Sequence, residues 1–207
     1  MKLLVSVLAV SLVIGGCDSK PNKKELKEKK TQIELAKECI SDTASVSALK
    51  NLSSDLISVN KAIIDSSELG ECLVNKLNLD NPGSDTEKAQ RVLDFVKENI
   101  NYKVDLSGTR LPVKSLVDEV GDCEDMTALS GTLLKALDID FYLIHKKPTS
   151  GGELGHVYAG IKTDENTGLD CEKVNLKVID ASNKSATVGV RASNAPTFEI
   201  TCRLGGE

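Results

Sequence analysis

The sequence predicts an α+β fold in which an antiparallel sheet packs on a helix that begins at Cys123, preceded by a helical N-terminal region. Three observations predict it. Apolar residues recur at spacings of three and four from Leu26 to Leu137, the mark of helices that bury one stripe. After Phe141 the pattern changes to short runs rich in Ile, Val, Phe and Tyr, separated by Gly, Asn and Asp clusters, which read as strands. Helices followed by strands, rather than alternating with them, give an α+β arrangement. At 207 residues, 40% hydrophobic and 28% charged, the chain is long enough for one sizeable core and too short for two large domains.

Residues 1–16 stand apart from this body. Lys2 precedes an apolar run from Leu3 to Ile14 that is too short to span a bilayer and reads as a signal-peptide core. The run ends in Ile14-Gly15-Gly16-Cys17, which resembles the bacterial lipobox. That resemblance implies cleavage before Cys17, thioether-linked diacylglycerol on its sulfur, and a membrane anchored protein. Asp18 resembles the signal that keeps such lipoproteins at the periplasmic face of the inner membrane in bacteria with two membranes. An ordinary cleaved signal followed by a chance cysteine is the other reading. Losing Lys2 takes the formal charge from -5 to -6, which disfavours nucleic acid as a partner. With 3% aromatic residues and no Trp, stacking platforms for bases or sugars are poorly supplied.

Residues 17–23 form a polar tether, and Lys23 to Lys30 is dense in Lys and Glu, either a partner-binding helix or a solvated face near the membrane. Over 24–80, Leu26, Ile33 and Ile40, then Leu49, Leu52, Leu56, Val59 and Ile63, then Leu69, Leu73 and Leu77 predict two or three packed helices. Asn81-Pro82-Gly83 breaks this region and sets an expected domain boundary. Ser84 and Glu87 then read as a capping box opening a second domain, 84–207. Its first helix turns Ala89, Val92, Leu93, Val96 and Ile100 inward and ends near Asn101-Tyr102. A loop holding Gly108 and Pro112 and a short helix around Leu116 follow. The helix opened by Cys123 buries Met126, Leu129, Leu133 and Leu137. Strands are expected at Phe141 to Lys146, His156 to Lys162, Val174 to Asp180 and Phe198 to Arg203, with a weaker one near Val188.

Of six cysteines, Cys17 carries lipid in this reading, and the other five face an oxidising compartment where unpaired thiols are uncommon. Five cannot all pair. The simplest solution in sequence order joins Cys39 to Cys72 and Cys171 to Cys202, each closing a loop of about thirty residues worth roughly 3–4 kcal/mol in the chain-entropy model. Cys123 is left free. It lies in Gly121-Asp122-Cys123-Glu124-Asp125, at the start of a helix whose dipole and unsatisfied N–H groups favour an anion, and a thiol is strongly nucleophilic only as thiolate. His156 and Asp180 follow in the order of a base and an orienting carboxylate. Each has a structural alternative: Cys123 as a buried thiol, which flanking Asp122 and Glu124 argue against, and His156 and Asp180 as strand ends. His145 is the only other histidine and is expected to pack or to end a strand.

Residues 91–144, together with Gly155 to Ile161 and Val178 to Ser182, resemble the transglutaminase-like cysteine hydrolase superfamily. The Gly121–Asp125 run is most similar to the bacterial transglutaminase-like cysteine proteinases. The resemblance implies a papain-like core with Cys123 as nucleophile, His156 as base and acid, and Asp180 orienting His156. It implies a protein or peptide substrate attacked through a thioester, which water resolves to hydrolysis and an amine to transamidation. No cofactor is required for that chemistry. Three departures stand out: no Trp to help the oxyanion site, which leaves only the Cys123 N–H nameable as a donor; Asp138 where the family has Gly; and no aromatic just after His156. A lipoprotein that keeps the fold as a binding module without turnover is the competing reading. Asp122, Glu124 and Asp125 crowd a sulfur that must become anionic. They either cap the helix, the common use of acidic residues at a helix start, or hold calcium, which the resemblance to the proteinases implies.

Overall fold

A computed structural model describes residues 31–40, 46, 49–148, 155–190 and 198–206. The signal segment, Cys17, the tether, Lys23 to Lys30 and most of the loop between Ser150 and Gly155 lie outside the described residues. The helices are α1 (31–37), α2 (Leu56–Asp65), α3 (Ser67–Leu77), α4 (Asp85–Asn99), α5 (Pro112–Asp118) and α6 (Cys123–Ala136). The strands are β1 (Asn101–Tyr102), β2 (Val120–Gly121), β3 (Phe141–Pro148), β4 (His156–Lys162), β5 (Asp170–Cys171), β6 (Val174–Ile179) and β7 (Phe198–Leu204).

Side-chain caps set where the helices start. Ser84 accepts from Glu87 N while Glu87 Oε2 accepts from Ser84 N at 2.8 Å, the expected reciprocal box. The expected inward face of α4 is buried in full, with Phe95 and Asn99 added to it. One expectation fails upstream. Leu49 and Leu52 do not share a helix with Leu56, because Asp55 caps α2, its Oδ1 accepting from Ser58 N at 2.7 Å. Residues ahead of that cap run instead against the loop before α5, with Leu52 N donating to Thr109 O at 2.8 Å.

Helix α6 is the axis of the molecule. Every residue from Asp125 to Leu134 is buried, so the helix needs partners all round, and α2, α3, α4, α5 and β4 supply them. Each fully buried Leu or Met along it contributes roughly 1.5–3 kcal/mol of transfer free energy. Gly70 lets α3 approach: a Cβ there would stand 2.7 Å from Thr132 O and 3.2 Å from Ala136 Cβ. At the far end Asp138 takes a φ of 56°, the left-handed conformation that Asp tolerates in place of Gly.

The sheet is antiparallel in the order β5-β6-β4-β3-β7. One face, with Leu143, Val157, Ala159 and Ile179, joins the α6 core. The other carries Ile144, Tyr158, Leu176 and Val178 in a second cluster. The sheet curls over this cluster far enough for its two edge strands to be joined, Cys171 to Cys202, with Cα atoms 5.9 Å apart. Cys39 and Cys72 are likewise bonded, tying the chain after α1 to α3 at 5.8 Å. Cys123 is the free cysteine among the described residues.

Two further expectations are corrected. Val188 lies in a turn rather than a strand, because residues 182–190 dock on α4: Val188 N donates to Gln90 Oε1 at 2.9 Å and Lys97 Nζ to Ala186 O at 3.0 Å. The Asn81–Gly83 break separates helices but not cores. Ile33, Val59, Ile63 and Leu73 from one side and Leu93, Leu129 and Leu133 from the other belong to a single buried cluster. The described part of 24–80 is thus the cover of α6, not a separate unit.

Gly70→Ala is expected to lower stability by about 1–3 kcal/mol in urea unfolding, although Ala is the better helix former by about 1 kcal/mol, because the added methyl meets a backbone carbonyl rather than a yielding side chain.

Candidate active site

Two short strands aim the start of α6. β1 and β2 pair in parallel, Asn101 with Val120 and Tyr102 with Gly121, and Lys103 N donates to Gly121 O at 2.9 Å. The chain leaving α4 is thereby clamped to the chain entering α6. Gly121 is required at this crossing, since a Cβ would stand 2.8 Å from Asp125 Cβ.

The acidic cluster then resolves into caps. Asp122 is the N-cap residue: its Oδ1 accepts from Glu124 N at 3.0 Å and Asp125 N at 3.3 Å, while Asp125 Oδ2 accepts from Asp122 N at 3.1 Å. Asp125 Oδ1 also accepts from Arg110 N at 2.6 Å. Glu124 turns to Thr109, whose hydroxyl donates at 3.0 Å. Met126 N reaches Asp122 O at 3.0 Å. Among the described residues, the Cys123 N–H is the one backbone donor of this first turn left without an acceptor.

Burial is the leading influence on all three carboxyls and raises each of them. Asp125, wholly enclosed and repelled by Asp122, is pushed up to about 7 despite the N–H groups and the Arg110 charge that oppose the rise. The cluster near Cys123 therefore carries less negative charge at neutral pH than its composition implies. Each carboxylate faces a different partner. Among the described residues no group of three or more His, Cys, Asp or Glu side chains is disposed to hold a metal ion. As placed, Asp122 and Asp125 cap the helix, and Glu124 and Asp125 tie it to Thr109 and Arg110.

Arg110 locks this end in place, and nothing in the sequence reading singled it out. Its guanidinium lies 2.6 Å from Asp105, 3.4 Å from Asp118 and 3.6 Å from Asp125. It ties the loop after β1, the end of α5 and the α6 cap together. Only the charge balance of a buried Asp could have hinted at it.

Cys123, His156 and Asp180 come together. Cys123 opens α6, His156 opens β4, and Asp180 follows the last residue of the neighbouring strand β6. Thr127 Oγ1 donates to Val157 O at 3.1 Å and so fastens α6 to β4 beside the histidine. His156 Nε2 meets Asp180 Oδ2 at 2.8 Å, and the Cys123 thiol lies close enough to raise the pKa of the ring. With Nε2 taken, Nδ1 is the nitrogen that faces the thiol. The ring stacks at a tilt on Tyr158, centroids 5.5 Å apart, an aromatic partner two residues on rather than next in sequence. Burial depresses the His156 pKa, but Asp180 and Cys123 outweigh it and hold the imidazole at about 9. Burial alone would raise Asp180; the His156 bond and the Ser182 N–H and Oγ–H, at 3.2 and 2.6 Å from Oδ1, bring it below its usual range. Ser182 was missed by sequence reasoning, though an Asp followed two residues later by Ser is a common local turn. His145 lies in β3 and packs against Gly155, where a Cβ would stand 2.5 Å from its Nε2.

Residues 75–167 match the model of the transglutaminase-like superfamily; the match includes Cys123 and His156, and Asp180 lies beyond it. No curated protein matches the chain. Among solved structures, a candidate cysteine protease from Cytophaga hutchinsonii is 12% identical with a TM-score of 0.43, over 74% of this chain and 60% of that one. Legionella pneumophila LapG is similar in an EGTA-treated form, at 16% identity and TM-score 0.45 over 73% and 81% of the two chains. A second LapG structure gives 15% and 0.41 over 68% and 78%. The chain thus spans about 60% of the length of the Cytophaga protein.

Two outcomes are expected from this geometry. His156 has a folded pKa raised to about 9 from 6.5, so its contribution to stability is complete below pH 6.5 and is lost as pH rises to about 9. Unfolding free energies measured across that window should fall in the wild-type protein, and His156→Ala should remove that part of the slope. Arg110→Ala leaves Asp125 enclosed without its cation and should cost about 3–5 kcal/mol in thermal or urea unfolding, with Arg110→Lys giving little rescue because a single ammonium cannot serve three carboxylates in a planar fork.

Proposed function

We propose that the protein is a cysteine hydrolase that cleaves amide bonds of a protein or peptide through Cys123, His156 and Asp180, a reading supported by the match of residues 75–167 to the transglutaminase-like superfamily model. The observation that carries the proposal is the convergence of a free cysteine at a helix N-terminus with a histidine whose far nitrogen is held by a carboxylate at 2.8 Å. In this reading Nδ1 of His156 carries the proton that the thiol has given up, and Asp180 holds the ring in the orientation that this requires. The thiolate attacks the amide carbonyl carbon and a C–S bond forms. The developing oxyanion is met by the Cys123 N–H, the donor that the cap has left unused. His156 returns its proton to the leaving amine, the C–N bond breaks, and a thioester remains. Water, deprotonated by His156, resolves the thioester to a carboxylic acid and regenerates the thiol; an amine in place of water would give transamidation.

Two disulfides among the described residues suit an oxidising compartment, and no helix among those residues is long and apolar enough to cross a membrane. With the signal segment ahead of Cys17, the reading is completed by a lipid anchor on Cys17 and a place in the bacterial cell envelope, at the periplasmic face of the inner membrane where two membranes exist.

The test is the alkylation rate of Cys123 by iodoacetamide at pH 7, followed by mass spectrometry. An ordinary thiol is only about 3% ionised at that pH. Cys123 should therefore react faster in the wild-type protein than in His156→Ala, by roughly tenfold or more, with Asp180→Asn between them. A rate indifferent to His156 would remove the enzymatic reading.

A further inference from the structure

We propose that the hydroxyl of Tyr102 is the second hydrogen-bond donor to the oxyanion that forms when Cys123 attacks a carbonyl. The inference rests on the thioester reading above and names the side chain that partners the Cys123 N–H.

Position comes first. Tyr102 pairs with Gly121, two residues ahead of Cys123, so its Cα is fixed beside the chain that enters α6. The segment behind it is fastened as well. Lys103 N donates to Gly121 O, and the Asp105 carboxylate holds Arg110 at 2.6 Å and accepts from Ser107 N at 2.9 Å. Tyr102 therefore stands on a rigid element, as a preorganised donor must.

Its chemistry suits the role. Burial, then the charges of Cys123, Asp122 and Asp180, raise the Tyr102 pKa, so the phenol keeps its proton wherever the thiolate and imidazolium coexist. The phenol thus lies within reach of the charges at Cys123 and Asp180, as its pairing with Gly121 places it. The side chain is nonetheless 44% exposed, and among the described residues its hydroxyl makes no hydrogen bond to protein. It is available to a ligand.

The other candidates nearby are committed. Thr127 Oγ1 serves Val157 O, Thr109 Oγ1 serves Glu124, and Ser182 Oγ serves Asp180. The N–H groups of Glu124 and Asp125 are held by Asp122. The chain has no Trp. Tyr158 is packed in the second apolar cluster on the sheet, which leaves Tyr102 as the aromatic donor of the site.

The experiment compares two reactions of one sulfur. Alkylation by iodoacetamide displaces iodide at a saturated carbon and forms no oxyanion. Acylation by the p-nitrophenyl ester of N-acetylglycine does: the thiolate adds to the carbonyl carbon, the π pair moves to oxygen, then returns as the C–O bond breaks and p-nitrophenolate leaves, and water finally releases N-acetylglycine. In Tyr102→Phe, alkylation is expected within about twofold of wild type, while acylation, followed by p-nitrophenolate release, falls about 10²-fold in kcat with KM little changed. That split supports the inference. Acylation that stays within about twofold overturns it, and so does a parallel fall of both reactions, which would place Tyr102 on the thiol rather than on the oxyanion. Wild-type protein that alkylates at Cys123 but is never acylated would overturn the hydrolase reading and this inference with it; an acylated wild type with an equally acylated Tyr102→Phe overturns this inference alone.

Discussion

The reciprocal cap between Asp122 and Asp125 at the start of α6 is the interaction on which the site depends. A helix N-terminus presents unsatisfied N–H groups, and a buried one must pair them. Here two carboxylates pair those of Asp122, Glu124 and Asp125 and leave that of Cys123 open. The same atoms that stabilise the helix therefore define a position for negative charge beside the sulfur. Arg110 makes the arrangement sustainable, because a wholly enclosed Asp125 would otherwise hold its charge against a strong desolvation cost.

The site reconciles opposing electrostatic needs by separating them in space. Asp180, from the far side of the ring, and Cys123 both favour the charged form of His156 against burial. The acidic residues on the helix side would oppose a thiolate, but burial raises their pKa values and their oxygens are turned toward backbone donors. His156, with Ser182 behind it, brings Asp180 below its usual range against burial. The result is a gradient of protonation across the site: Asp180 remains charged, Asp125 titrates near neutrality, and His156 holds its proton to about 9.

Rigidity reaches the site from both sides of α6. On one side the helices before residue 80 enclose α6 in the same core, with Gly70 allowing α3 to lie against Thr132 and the Cys39–Cys72 bond tying that cover together. On the other, β4 carries His156 and β6 leads into Asp180, in a sheet whose edge strands are joined by Cys171–Cys202. A buried helix with small residues at its crossings and polar groups at one end has few ways to shift, which suits a nucleophile that must hold its orientation.

Much of this was legible before any coordinates. The stripe of Ala89, Val92, Leu93, Val96 and Ile100, the Ser84–Glu87 box, the Cys123 helix and the strands at His156 and Val174 are local patterns, set by the periodicity of the backbone and by side chains that bond within a few residues. The free cysteine and its place at a helix start follow from counting and spacing. What required the tertiary structure were the contacts between distant segments. Arg110 on Asp125, Tyr102 beside Gly121, Leu52 on Thr109, the docking of Val188 on α4, and a single core across Asn81–Gly83 all pair residues with no fixed separation in sequence. So did the partners of the acidic cluster, since neighbouring segments decide which donors the oxygens of Asp122, Glu124 and Asp125 meet. Short-range stereochemistry determined the elements and the place of the free cysteine at a helix start; long-range packing and desolvation decided how charge, hydrogen bonds and access are shared among them.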